Sequence, residues 1–317
     1  MPSHCLAWAA ALLLTVLLHA GAMRAARRPA AGPAGPWRAA AERFAAHRGA
    51  RLALGVLIAL VVVAALAPWL APYDPTAQLD IVALKNLAPS LAHPFGTDFA
   101  SRDVFSRVLY GARVSLSVAV LAIAVSTSLG TAYGAVAGYR GGRVDDLMMR
   151  LIDAALSIPR ILILIAVLVL WGEVSLPVLV LLLGLTGWFG VSRLVRAEVL
   201  ALREQEMVLA ARALGARDRD ILRRHILPNV MSPVIVAATL GIANVILIEA
   251  GLSYLGIGVR PPTPSWGNII FDGREQLGSL WWISTFPGLA IVVTVIACNL
   301  VGDGLRDALD PRQVERS

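Results

Sequence analysis

The chain has 317 residues, 57% of them hydrophobic and 15% charged, with a net charge of +7. Soluble domains are nearer half apolar and a quarter charged. Here the excess falls in blocks of about 20 residues, the length a helix needs to cross a hydrocarbon core of about 30 Å. That patterning argues against a soluble enzyme. It also argues against a nucleic-acid-binding domain, because the basic residues lie between the apolar blocks as a topology signal does.

In chain order, residues 1–51 form an N-terminal extension and tail. Cys5–Ala22 is apolar, but no Lys or Arg precedes it, so it lacks the n-region of a signal peptide. Ala20-Gly21-Ala22 looks like a cleavage site, yet exporting the arginines that follow conflicts with the charge count below. Two readings stay open: a start assigned too early, with Met23 as the real one, or an extra helix with its N-terminus outside and Arg24, Arg27 and Arg28 at its inner end. Residues 29–36 are a Pro/Gly-rich approach to the first core span.

Six blocks read as core spans: Leu52–Ala71, Arg113–Ala137, Leu147–Trp171, Leu176–Val195, Met231–Ser253 and Ile283–Val301. Between them lie loops at 72–112 and 254–282 on one side and a polar stretch at 198–229 on the other, with the core domain over 113–303 and a tail over 304–317. Starting the first core span inside puts 21 Lys and Arg in inner segments and six in outer ones. This excess favours cytoplasmic N- and C-termini. Trp69, Trp171, Trp266, Trp281 and Trp282 fall at the outer ends, as an interfacial belt would. The outer stretch 73–110 ends with Val104, Val108 and Gly111 on one side, the pattern of an amphipathic helix lying on the outer surface or of a passive linker.

The inner stretch reads as a helical hairpin. Val208, Ala211 and Leu214 recur at helical spacing. Gly215 suits a left-handed stop. Asp218 is placed to cap the next helix and Pro228 to end it. A short helix pair with an apolar stripe and small alanines is either a docking knob or an ordinary solvated loop.

Residues 206–229 resemble the EAA loop of binding-protein-dependent ABC permeases: Glu-Ala-Ala, three residues, Gly, nine residues, Ile-x-Leu-Pro. Ala210, Ala211, Gly215, Leu227 and Pro228 fall in register, with Leu209 in place of Glu and His225 in place of Ile. Three further segments resemble the C-type permeases of dipeptide, oligopeptide and nickel importers. They are His93–Arg107 with Gly111–Leu116, Leu252–Gly267, and Gly302–Pro311; Ser101 stands where the family usually has Gly. The resemblance spans about residues 40–312. It implies an all-α integral membrane protein of the MetI-like ABC permease type, with six core helices, in a bacterial cytoplasmic membrane. It implies a second permease subunit, two ATPase subunits that bind the ATP, and an extracytoplasmic solute-binding protein. The loop from Glu206 to Pro228 would insert into a groove on an ATPase. The solute would be a di- or oligopeptide or a similar small solute such as nickel.

The chain itself carries no P-loop, since its only lysine, Lys85, lies in Ala-Leu-Lys-Asn-Leu. The histidines have no ligand spacing, so neither a metal site nor a cofactor is expected in it. Gly130, Gly134 and Gly138 place small residues on one face of the second span, for close helix packing that is either mobile or static. Pro159, near the middle of the third span, removes a backbone donor and is expected to kink the helix. Arg160, which follows it, carries a charge that costs about 2.5–3.5 kcal/mol at mid-bilayer on insertion scales. It is read as lining the solute pathway, as pairing with an acid of the partner permease, or as snorkelling. Asp153 lies on nearly the same face, about 10.5 Å away along the helix. Glu249 in the fifth span is a weaker pathway candidate that would otherwise reach the interface, and Asn244 is expected to hydrogen-bond between helices. An ion-coupled secondary transporter is the main rival; it would bind its ion with paired intramembrane carboxylates, and none stands out.

Overall fold

The computed structural model describes residues 2–27, 36–172 and 174–310. Among these, the regular elements are helical, apart from an isolated bridge between Thr97 and Asp103. The chain opens with α1 (Pro2–Arg27), α2 (Pro36–Ala46), α3 (Arg48–Ala65) and the short α4 (Ala67–Leu70). His47 starts α3 by accepting the Ala50 N–H on its Nδ1 at 3.0 Å. Pro68 sits in the first turn of α4, where its missing N–H costs nothing.

Next come α5 (Val104–Arg140), α6 (Gly142–Leu156), α7 (Arg160–Trp171) and α8 (Leu176–Arg203). The hairpin holds α9 (Glu206–Ala213) and α10 (Asp218–Ile221), and α11 (Leu227–Tyr254), α12 (Trp266–Gly273) and α13 (Trp281–Leu309) complete the chain. Among the described residues six helices are long and apolar enough to span: α1, α3, α5, α8, α10–α11 and α13. The third predicted span corresponds to the bent pair α6–α7, broken by 69° at Pro159, where a kink is expected. Pro159 explains the break: it lacks an N–H and pushes Ile158 away from helical geometry.

Several elements differ from the sequence expectation. α5 begins at Val104, not Arg113, so Val104–Gly111 is no separate surface helix but the first turns of a 37-residue helix about 55 Å long. Asp103 caps it by accepting the Ser106 N–H at 2.8 Å. α13 continues to Leu309, through residues assigned to the tail, because Gly304 and Ala308 pack against α2 and α3 near Phe44 and Ala50. α12, inside the loop 254–282, was not anticipated; a Ser265–Asn268 capping box starts it. Arg43 donates to the Asp310 carbonyl at 3.2 Å, which sets the entry and exit of the core on one face. α1 runs antiparallel to α3, with Trp8 against Phe105 at the far end and Met23 beside Phe44 at this one. The Trp8 end of α1 and the Leu309 end of α13 therefore lie at opposite faces of the bundle.

The segment 72–103 has no helix, and a buried charge cluster holds it down. Asp98 accepts Arg102 Nε at 2.7 Å and also pairs with Arg107. Asp272 of α12 accepts Arg102 Nη2 and Arg107 Nη1, each at 2.9 Å. Trp266 and Trp282 are not interfacial either. Both are buried, donating their indole N–H to the Val108 carbonyl at 3.1 Å and the Thr97 carbonyl at 3.2 Å. Trp69, Trp171 and Trp281 are exposed.

The central contact is between α5 and α8. A Cβ on Gly130 would meet the Trp188 carbonyl oxygen at 2.8 Å, and one on Gly138 would meet the Arg196 carbonyl oxygen at 2.8 Å. Gly134 lies against the Ser192 carbonyl, and Gly184 returns the fit from α8, with Val125 Cβ 2.7 Å from its added Cβ. The backbones thus touch over several turns, an approach that only small residues permit. Gly134→Val should lower stability by about 1–3 kcal/mol through overpacking. Gly288→Ala, on open surface of α13, should not destabilise. Thermal unfolding of the detergent-solubilised protein measures both.

Candidate coupling hairpin and mid-span cleft

α8 ends at Arg203 and α9 begins at Glu206, so the hairpin hangs directly from the α5–α8 pair. Val208 is fully buried in an apolar cluster with Val195 and Val199 of α8, Ala135 of α5, and Ile221 and Ile226. Ala211 is half-buried against the same cluster. Leu209, Ala210, Leu214 and Gly215 face outward, and Leu214 is 88% exposed. The two alanines of the motif therefore serve opposite faces: Ala211 closes the hairpin onto the bundle, and Ala210 lies on the exposed surface. Leu214 leaves the expected stripe, because α9 stops one residue before it. Gly215 makes the stop with φ +81°, a conformation in which L side chains are strained. Glu206 is exposed in the first turn of α9, where a carboxylate suits the helix dipole.

Two expectations for the second arm fail. Asp218 does not cap α10; it accepts the Tyr139 hydroxyl at 2.7 Å and so ties the hairpin to the end of α5. Pro228 does not end a helix; it lies in the first turn of α11. Residues 222–226 widen into a π-helical turn, with the Leu227 N–H donating to the Leu222 carbonyl. A proline crowds the carbonyl four residues earlier, and the wider turn relieves this. The arm thus runs from Asp218 through half-buried His225 and Leu227 into α11 without a stop. Above the hairpin, Arg203 Nη1 donates to the Gly138 carbonyl at 3.1 Å. Arg196 grips buried Asp145 of α6 with two contacts of 2.5 Å.

Around the bend of the third span, Arg160 opens α7 and reaches across to α8. Its Nε donates to Thr186 Oγ1 at 3.1 Å and its Nη2 to the Leu183 carbonyl at 2.7 Å. Asp153 is not its partner; it pairs with Arg193 on the exposed side. A cleft of about 180 Å³ opens here, lined by Arg160, Ile163, Thr186, Gly187, Phe189 and Gly190. Glu249 is elsewhere. It is 0% exposed, so it does not reach the interface, and it accepts Ser115 Oγ at 3.0 Å and Ser253 Oγ at 2.8 Å. Those serines in turn accept the Trp266 and Val259 N–H groups, so Glu249 joins α5, α11 and the start of α12. Asn244 is exposed on α11. Among the described residues no group of three His, Cys, Asp or Glu is placed to hold a metal ion.

Sequence reasoning missed Tyr139, Asp145, Arg196 and Arg203. Their partners lie 51 to 79 residues away, beyond any local periodicity. Tyr139→Phe should loosen the hairpin by about 1 kcal/mol. Hydrogen exchange of the 206–226 amides should accelerate roughly fivefold as a result, with α5 and α8 unchanged.

The chain matches the family described as binding-protein-dependent transport system inner membrane component over residues 130–315. Residues 35–89 match the N-terminal TM domain of oligopeptide transport permease C. It is 42% identical over 272 residues to the dipeptide transport system permease protein DppC of Bacillus subtilis (strain 168), covering 86% of this chain and 84% of the relative. A putative peptide transport system permease protein of Brucella abortus biovar 1 is 44% identical over 275 residues, covering 86% and 90%. A putative peptide permease protein of Brucella suis biovar 1 is 41% identical over 297 residues, covering 93% and 97%. With its helical spans and the hairpin between α8 and α11, the chain belongs to the binding-protein-dependent inner membrane components: it is a multi-pass membrane permease of the ABC transporter class.

Proposed function

We propose that this chain is one of two permease subunits of a peptide importer and passes force from separate ATPase subunits through the α9–α10 hairpin. The arginine-rich face that carries the hairpin is the cytoplasmic face. A solute-binding protein delivers peptide to the opposite face, where the segment 72–103 and α12 are clamped together. The peptide class follows the relatives, whose names are those of dipeptide and peptide permeases.

The observation that carries this reading is the exposed tip of the hairpin. Leu209, Ala210 and Leu214 offer an apolar surface of small relief, while Val208 and Ala211 anchor its underside to α8. An apolar tip on a rigid root suits insertion into a groove on another protein. The Tyr139–Asp218 bond and the unbroken passage into α11 support transmission in both directions, to α5 through one arm and to α11 through the other.

The test is co-purification of the ATPase with the chain and its partner permease. Leu214→Asp and Ala210→Asp change only the exposed surface, whereas a change at Ala211 would also disturb the root. Each should reduce retained ATPase about tenfold or more, as loss of an interface anchor does, with the partner permease still bound. A folded Leu214→Asp protein that keeps its ATPase would show that the hairpin is not the docking element. An intact chain that transports without any ATPase would overturn the importer reading itself.

A further inference from the structure

We propose, resting on the peptide-import reading above, that the cleft at the bend of the third span is a carboxylate subsite in which Arg160 receives the C-terminal carboxylate of a peptide in transit. The first ground is charge. Arg160 sits at mid-span depth, where an unbalanced charge is costly. Its partners, Thr186 Oγ1 and the Leu183 carbonyl, are neutral; they fix the guanidinium without balancing it. Among the described residues no carboxylate pairs with it. Asp153 is taken by Arg193 and Asp145 by Arg196, while Asp98 and Asp272 hold Arg102 and Arg107.

The second ground is shape. α8 is notched where the arginine crosses it: a Cβ on Gly187 would meet Arg160 Nη2 and Ser126 Oγ, each at 3.1 Å. Gly190, on the same wall, has nothing within 4 Å of an added Cβ and leaves the cleft open. At about 180 Å³ the cleft is smaller than the roughly 300–1,000 Å³ that encloses a whole small molecule. It therefore fits one end of a solute. Ile158, Ile163 and Phe189 make the rest of the wall apolar, which strengthens a charge-assisted bond inside. A guanidinium already bonded through Nε and Nη2 presents its Nη1 edge as a ready donor. A transporter of varied peptides has one anion common to every unmodified substrate, the terminal carboxylate. Side-chain carboxylates are optional, so the invariant group is the one such a subsite reads.

The test uses the whole complex in proteoliposomes, with its binding protein, partner permease and ATPases. Uptake of Ala-Ala and of its C-terminal amide is compared for the parent chain, Arg160→Gln and Arg160→Lys. Comparing each peptide between variants cancels any preference of the binding protein. Arg160→Gln should slow the free acid roughly ten- to a hundredfold, the scale of one charged hydrogen bond, and the amide less than about twofold. Arg160→Lys should restore part of the free-acid rate. A second readout labels Arg160→Cys, with Cys5 and Cys298 changed to Ala, using a water-soluble thiol reagent; the cleft position should react, and excess Ala-Ala should slow the reaction. Equal effects on acid and amide, an unreactive Arg160→Cys, or loss of the partner permease from Arg160→Gln would each overturn the subsite, the last assigning the arginine to assembly. If the parent complex imports neither peptide, the peptide-import reading fails instead, and the labelling still decides whether the cleft is open to water.

Discussion

Backbone contact between α5 and α8 is the constraint on which the rest of the structure depends. Lipid gives no hydrophobic drive to bring two apolar helices together. Close packing must supply the attraction, and it does so only where side chains do not hold the backbones apart. Gly130, Gly134, Gly138 and Gly184 remove that obstacle along the seam. Two helices of 37 and 28 residues then act as one thick post. Everything with a functional reading is hung from this post. The bent pair leans on it through Arg160 and Arg196, α11 packs along it, and the hairpin continues it beyond the bilayer.

In the proposed coupling, the hairpin is a lever with a fixed root and a free tip. Its inward residues belong to the same apolar cluster as Val195 and Val199, so a push on the tip is taken up by α8 directly. The second arm differs, because a π-helical turn, the least regular stretch of the arm, separates α10 from α11. Such turns are frequent at functional positions. On that proposal, force entering through the first arm meets a rigid post, and through the second a helix that can adjust its winding.

The spans were legible because hydropathy and helix length are both properties of consecutive residues. Gly215, Pro159 and the glycine row were legible for a related reason: each acts on the backbone within a turn or two. What stayed hidden depends on contacts across the sequence. Arg107 read as an ordinary loop charge and shortened the expected α5, yet Asp98 and Asp272 neutralise it, the latter 165 residues away. Trp266 and Trp282 read as interfacial because composition cannot tell a buried indole from one at the headgroups; their carbonyl partners decide it. Asp218 and Pro228 had sound local roles that tertiary partners displaced, namely the Tyr139 hydroxyl and a widened turn. The spacing of the hairpin motif was visible, but which alanine faces the bundle was not, since that depends on where α9 stops.

The cluster of Asp98, Asp272, Arg102 and Arg107 holds two negative and two positive charges, so its formal sum is zero. A group of zero net charge does no electrical work when it moves through a membrane potential, whereas a full elementary charge exchanges about 2.3 kcal/mol per 100 mV. Moved as a unit, the cluster therefore adds no net charge displacement at the end of the bundle that it ties together. The two aspartates thus cancel the coupling to membrane potential that Arg102 and Arg107 would bring to that end if they stood unpaired.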